Sequence, residues 1–297
     1  MMSEFPVAFQ CQSQTLIGVI HKPEQTHRPF GVLIIVGGPQ TRVGSHRQFV
    51  LLARYLCQHG IPVMRFDYRA MGDSGGSTLD YEAVDQDIKE ALNQFQTAMP
   101  ELEQFTLWGL CDAVCAALFY AYQDSRVKGL VLLNPWVRTE SGEAKAYLKH
   151  YYLRRVISKD FWRKALNGKL NITQSVRSLL GNVRKTYFSN VSKQKPRAMV
   201  EAKVIKRIDP DLSLPDRMLQ GMQNFNGEIL IILSGNHDYV ADEFRDVVNS
   251  SEQWRKCLAN GRVSKKDFDA ADHTFSSKAW RGQVERWTLE WLQQRQG

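Results

Sequence analysis

Apolar positions along the chain fall into two rhythms. Short unbroken runs at 31–36, 129–133 and 229–233 have the length and composition of strands buried on both faces. Longer stretches repeat apolar residues every third or fourth position; in 80–99 these are Val84, Ile88, Leu92 and Phe95, which share one face of a helix. The same reading predicts strands at 5–10 and 15–21, an opening antiparallel pair, and at 62–66, 105–110, 129–134, 228–233 and 263–268. It predicts helices at 46–58, stopped by Gly60, and at 80–99, 112–122, 242–258 and 276–294. Strands alternating with helices imply an α/β fold, with a mostly parallel sheet, right-handed crossovers and helices on both faces.

The alternation breaks once. Residues 137–222 have helical composition and no convincing strand, so the expected organisation is a core of residues 1–136 and 223–297 carrying a helical cap at 137–222. Charge sharpens this division. The 297 residues carry a net charge of +8, yet 138–220 alone holds 19 Lys+Arg against 7 Asp+Glu, a surplus of +12 that leaves the remainder at −4.

Composition excludes several classes. With 43% hydrophobic and 24% charged residues the chain is neither disordered nor collagen-like. No apolar run approaches the ~20 residues that cross a bilayer. The opening Met1-Met2-Ser3-Glu4-Phe5-Pro6 lacks the basic and apolar regions of a secretory signal, so a cytoplasmic location is expected. The five cysteines, Cys11, Cys57, Cys111, Cys115 and Cys257, form no CxxC pair, which argues against a disulfide framework or a zinc cage and fits a reducing compartment.

The segment 105–118 carries the most chemistry. It reads strand, sharp turn, helix, with small Gly109 and Ala113 bracketing Cys111. That is the pattern of a nucleophile elbow, G-x-S-x-G, in which neighbours at minus two and plus two must be small and the new helix aims its N-terminal amides at the nucleophile. Here Cys stands for Ser and Ala113 for the second Gly. A free cysteine at a strand end can equally be a buried small hydrophobe, so the rest of the constellation decides. Cys115, one turn later, reads as core.

An acid and then a histidine should follow in chain order. Asp238, just past the strand 228–233, is the favoured acid; Asp242 is the rival, with a helix-cap role open to it. His237 reads as a loop residue. His273, between the last strand and the last helix, is the expected base, with Asp269 and Asp272 as loop and cap carboxylates. The turn Gly37-Gly38-Pro39 after the first buried strand would supply an oxyanion-hole N–H; Gly38 is the candidate, since Pro39 has none, and the N–H of Asp112 is its partner.

Together these residues resemble the α/β-hydrolase superfamily. Phe66-Asp-Tyr-Arg-Ala-Met-Gly-Asp-Ser-Gly-Gly looks like that superfamily's D-x-R-G-x-G-x-S loop, with Ala70 for the usual Gly. The resemblance implies a structural role for Asp67 and Arg69, an eight-stranded sheet, and a lid inserted after the sixth strand. Gly109-Leu-Cys-Asp-Ala, with Leu233-Ser-Gly-Asn-His-Asp-Tyr-Val-Ala-Asp-Glu-Phe, resembles the exosortase A system-associated hydrolases of type 1, bacterial proteins found with exopolysaccharide export. In that family a Cys at the elbow is expected, and the implied substrate is an ester or acyl group.

A Cys–His–Asp site would attack a carbonyl through its thiolate and form a thioester, open to hydrolysis or to acyl transfer. A catalytically silent, hydrolase-like scaffold is the competing reading. No P-loop, GxGxxG or metal-ligand cluster is present, so no cofactor is implied. The basic cap reads as a solvated lid, as a site for an anionic substrate such as a CoA thioester or phosphorylated lipid, or as a contact for an anionic membrane. No nucleic-acid module accompanies the charge, and nucleic acid is not an expected partner.

Overall fold

The computed structural model describes residues 2–26, 29–38, 40–77, 79–138, 207–235 and 238–295. Eight strands lie among them: β1 (Ser3–Cys11), β2 (Gln14–Lys22), β3 (Phe30–Ile35), β4 (Val63–Asp67), β5 (Gln104–Leu110), β6 (Val127–Leu133), β7 (Glu228–Ser234) and β8 (Val263–Phe268). They form one sheet in the order β1-β2-β4-β3-β5-β6-β7-β8. The pairs β1–β2 and β2–β4 are antiparallel and the remaining pairs are parallel.

That order puts a reversal beside β3. The chain leaves β3 in one direction to build β4, then returns past it to build β5. The loops after β3 and β5 therefore diverge, and a crevice opens between the carboxyl ends of those two strands, where ligands bind in sheets of this type. Gly37 and Gly38 follow β3; Cys111 and Asp112 follow β5.

The apolar runs become the central strands. Every residue of 31–36 is buried, as are 105–110 and 229–234. The outermost strand β8 is different: Ser264, Lys265, Lys266 and Asp267 are all exposed. The helices are α1 (Gln48–Gln58), α2 (Asp85–Ala98), α3 (Ala113–Ala121), α4 (Leu214–Asn224), α5 (Tyr239–Ser250), α6 (Glu252–Leu258) and α7 (Lys278–Gln294). α2 buries Ile88, Leu92 and Phe95 on its apolar stripe. α3, apolar all round, buries all nine residues. α1 packs on α7, while α2 and α4 pack on α3.

Three helix boundaries differ from the periodicity. The stretch 242–258 is two helices, because Ser251 is extended and its hydroxyl accepts the Trp254 N–H, starting α6 anew. α1 begins at Gln48, since His46 and Arg47 take left-handed φ of 54° and 61°. α2 begins at Asp85, after a short turn at Tyr81–Ala83.

Residues 1–137 and 205–297 form one compact unit. Within the stretch whose composition suggested a cap, α4 belongs to this unit and buries Met218, Leu219 and Met222. Residues 139–206, and with them most of the expected cap, lie outside the described residues, as do Pro39 and His237.

Two polar clusters brace the strand ends. Asp67, fully buried at the end of β4, accepts the Arg42 N–H at 2.5 Å and pairs with the Arg42 guanidinium. Arg69 closes on buried Asp87 of α2 with its backbone N–H at 2.9 Å, its Nε at 3.0 Å and its Nη2 at 2.7 Å. Between them Ala70 sits at φ +61°, the left-handed region that costs an L-residue with a Cβ. On β2, fully buried His21 accepts from Arg65 Nε at 2.9 Å, with Glu4 3.7 Å from its other nitrogen. Burial and the Arg65 charge pull His21 down to about 4, against the pull of Glu4.

Candidate active site

The turn after β5 is built as the spacing of small residues requires. Cys111 has φ +64°, a conformation rare for a residue with a Cβ, and its N–H is held by Leu133 O at 2.9 Å. A Cβ on Gly109 would come within 3.0 Å of the Ala113 backbone and 3.2 Å of the Ala113 Cβ, so a larger residue at 109 would crowd the start of α3, while the alanine at 113 is accommodated. The N-terminus of α3 then begins directly beside the sulfur. Cys111 is partly exposed, whereas Cys115 is buried, donates to Trp136 O at 3.3 Å and lies 3.7 Å from Met218 Sδ. Burial holds the Cys115 thiol well above its ordinary range.

The acid and the base meet from two other loops. Asp238 caps α5: its Oδ1 accepts the Val240 N–H at 3.0 Å. Its Oδ2 accepts the Ser234 hydroxyl at 2.5 Å and lies 2.8 Å from His273 Nδ1. Burial pushes this carboxyl up, but the His273 contact, the Ser234 hydroxyl and the Val240 N–H together hold it below the usual carboxylate range. Burial likewise works against protonating His273; the hydrogen bond and charge of Asp238, together with the nearby Cys111 sulfur, outweigh this and raise the ring to about 10. His273 and Asp238 are thus joined by a hydrogen bond, and Cys111 is among the groups whose charge acts on the ring. The rival acid turns away: Asp242 is exposed in the first turn of α5 and pairs with Arg245 at 3.3 Å. Asp272 accepts the Ser276 N–H at 2.9 Å within its own loop.

Two residues absent from the sequence reading hold these loops in register. Asn134, buried at the end of β6 with φ +44°, accepts the Ser234 N–H at 2.8 Å and donates to His273 O at 2.9 Å. Ser234 ends β7 and reaches the acid. A buried Asn at a strand end was the available signal, since such a group must find partners.

Of the two N–H groups expected over the elbow, that of Gly38 is directed at the Asp112 carboxylate, with Oδ2 at 2.9 Å. Gly38 has φ +57°, and nothing lies within 4 Å of where its Cβ would stand. Burial pushes the Asp112 carboxyl up, while the nearby N–H groups of Gly38, Asp112 and Ala113 favour its charge. Among the described residues no cluster of three or more His, Cys, Asp or Glu could hold a metal ion, and no helix is long and apolar enough to cross a membrane.

A strand-turn-helix at β5, an acid after β7 and a histidine after β8, on a sheet of this order, define an α/β hydrolase. The chain belongs to the serine aminopeptidase S33 family, which it matches over residues 27–243. It carries Cys111 at the elbow of a family named for serine. Among solved structures it is similar to an esterase of Pyrococcus furiosus, at 15% identity over 100% of this chain and 92% of the other, with a TM-score of 0.65. It is also similar to a dienelactone hydrolase of Anabaena variabilis, at 13% identity over 98% and 97% of the two chains, TM-score 0.57. A third is an alpha-beta serine hydrolase homologue of Coxiella burnetii, at 14% identity over 97% of each, TM-score 0.54. No curated protein sequence gives a match.

Proposed function

We propose that this enzyme cleaves an ester or thioester through a Cys111–His273–Asp238 triad and a thioester acyl-enzyme. The observation that carries the reading is the hydrogen bond of His273 Nδ1 to Asp238 Oδ2 at 2.8 Å, with Cys111 acting on the same ring from an elbow that opens a helix N-terminus. In the first half-reaction His273 already holds the proton it shares with Cys111, and the sulfur attacks the acyl carbon as a thiolate. The carbonyl oxygen takes up the negative charge under the N–H groups of Gly38 and Asp112. The intermediate collapses, the alcohol or thiol leaves with the proton from His273, and the acyl group stays on Cys111. Water, losing its proton to the now neutral His273, then attacks the thioester carbon; the Cys111 thiolate is expelled, the acid is released, and the proton stays on His273. Asp238 keeps the ring oriented throughout. An alcohol or amine in place of water would make the enzyme an acyltransferase with the same first half.

The resemblance of the elbow and acid loop to exosortase-associated hydrolases supports a bacterial exopolysaccharide setting. The +12 charge of 138–220 supports a lid that meets an anionic substrate or the anionic face of a membrane. Intact mass after incubation with activated esters and acyl-CoAs tests the chemistry. An adduct on Cys111, lost in Cys111→Ala and not accumulating in His273→Ala, is the expected result; alkylation of Cys111 without acylation by any donor would leave the silent scaffold.

A further inference from the structure

Asp112 follows the elbow cysteine, and only its backbone N–H is needed for the chemistry above. Its side chain nevertheless folds back against the loop after β3, where Oδ2 takes the Gly38 N–H. Oδ1 is buried beside Gly37 and makes no hydrogen bond of good geometry. A Cβ on Gly37 would overlap that oxygen, so the glycine leaves the room the carboxylate fills. A carboxyl group therefore occupies the nest of N–H groups in which a tetrahedral oxyanion would have to develop. A carboxyl group and an oxyanion cannot share one set of donors in a half-buried crevice. The charged group that acts on this carboxyl is Asp80, a like charge that makes its position less favourable still.

We propose that Asp112 gates the oxyanion site: its carboxylate fills the Gly38 nest in the resting enzyme and must swing out before a bound acyl group can be attacked. The proposal rests on the acyl-enzyme reading above. It separates two reactions of the same sulfur. Alkylation by iodoacetamide builds no oxyanion and does not require the nest to be empty. Acylation by an ester requires it.

The experiment compares the native enzyme with Asp112→Ala and Asp112→Asn. Each is treated with iodoacetamide and, separately, with p-nitrophenyl acetate, and modification of Cys111 is followed by intact mass. The ratio of acylation to alkylation rate should rise about tenfold or more in Asp112→Ala, because a donor pair is freed for the developing charge. It should rise less in Asp112→Asn, whose uncharged amide still fits the nest. Acetate ion added to Asp112→Ala should slow acylation again by taking the vacated place, and should leave the native enzyme unaffected. A purely structural cap has no means of producing that acetate sensitivity. An unchanged ratio, or a fall in acylation that acetate does not modulate, overturns the gate and leaves the triad standing. Normal alkylation of Cys111 with no acylation in any of the three proteins overturns the acyl-enzyme reading itself, and the gate with it.

Discussion

The side-chain amide of Asn134 donates to the backbone carbonyl of His273 at 2.9 Å, tying the end of β6 to a residue 139 positions later. Its other end accepts the Ser234 N–H at 2.8 Å, so a single buried group sets the spacing between the loop of the base and the strand leading to the acid. Asn134→Ala strands one donor and one acceptor in the interior. A loss of about 2–4 kcal/mol in urea unfolding is expected, together with a fall in acylation rate that leaves substrate affinity less affected. A variant as stable as the native protein would show that these groups find water or other partners.

His273 should keep its proton well above the ordinary imidazole range. The raised value makes the sign definite: the stability this ring contributes is complete below about 6.5 and is lost as pH rises through about 10. NMR titration of the ring should find the transition near the upper value, and Asp238→Asn should bring it down toward 6.5. The same substitution should lower activity by about 100-fold or more, since the ring loses its orienting carboxylate. A ring that titrates at its ordinary value in the native protein would contradict the hydrogen-bonded arrangement.

The buried His21 works in the opposite direction. Held down to about 4, it stays neutral in the folded chain while the unfolded chain takes up a proton from about pH 6.5 downward. Stability should thus drop as pH falls from 6.5 to 4, by about 3 kcal/mol from this group alone. His21→Gln, which retains an acceptor for Arg65, should flatten that limb of the stability-against-pH curve. An unchanged acid limb would assign the loss to other groups.

At Ala70 the sequence departs from the glycine usual in this loop, and the backbone there has φ +61°. Ala70→Gly should relieve the strain at some cost in chain entropy, for a net gain of about 0.5–1 kcal/mol. Guanidinium unfolding measures it; a loss of stability would mean that the Ala70 methyl group contributes packing that outweighs the strain.

The fold was legible because its information is local. Unbroken apolar runs as short as 31–36 and 229–233, bounded by turn residues, read as strands covered on both faces, and their alternation with helices leaves few topologies. Cys111, His273 and Asp238 could be selected because each follows a strand and all three come in one order. What could not be read depends on which strands are neighbours. Asn134 acquires its partners only once β6 lies beside β7. The break at Ser251 hangs on a single hydroxyl, and the apolar rhythm runs through it unchanged. The direction of the Asp112 side chain is equally invisible, because sequence spacing fixes where its N–H stands and says nothing of where its carboxylate turns.

Of the two rims of the sheet, the one formed by β8 bears on how the molecules behave toward each other. Its backbone could accept a further strand, and a second copy lying antiparallel on it would bring Lys265 and Lys266 near their counterparts across the two-fold axis. Those charges, with Lys265 tied to Asp267 of the same strand at 3.0 Å, make such an extension unfavourable. Charge carried along an end strand in this way acts as an insulator, disfavouring growth of one copy upon another, edge to edge.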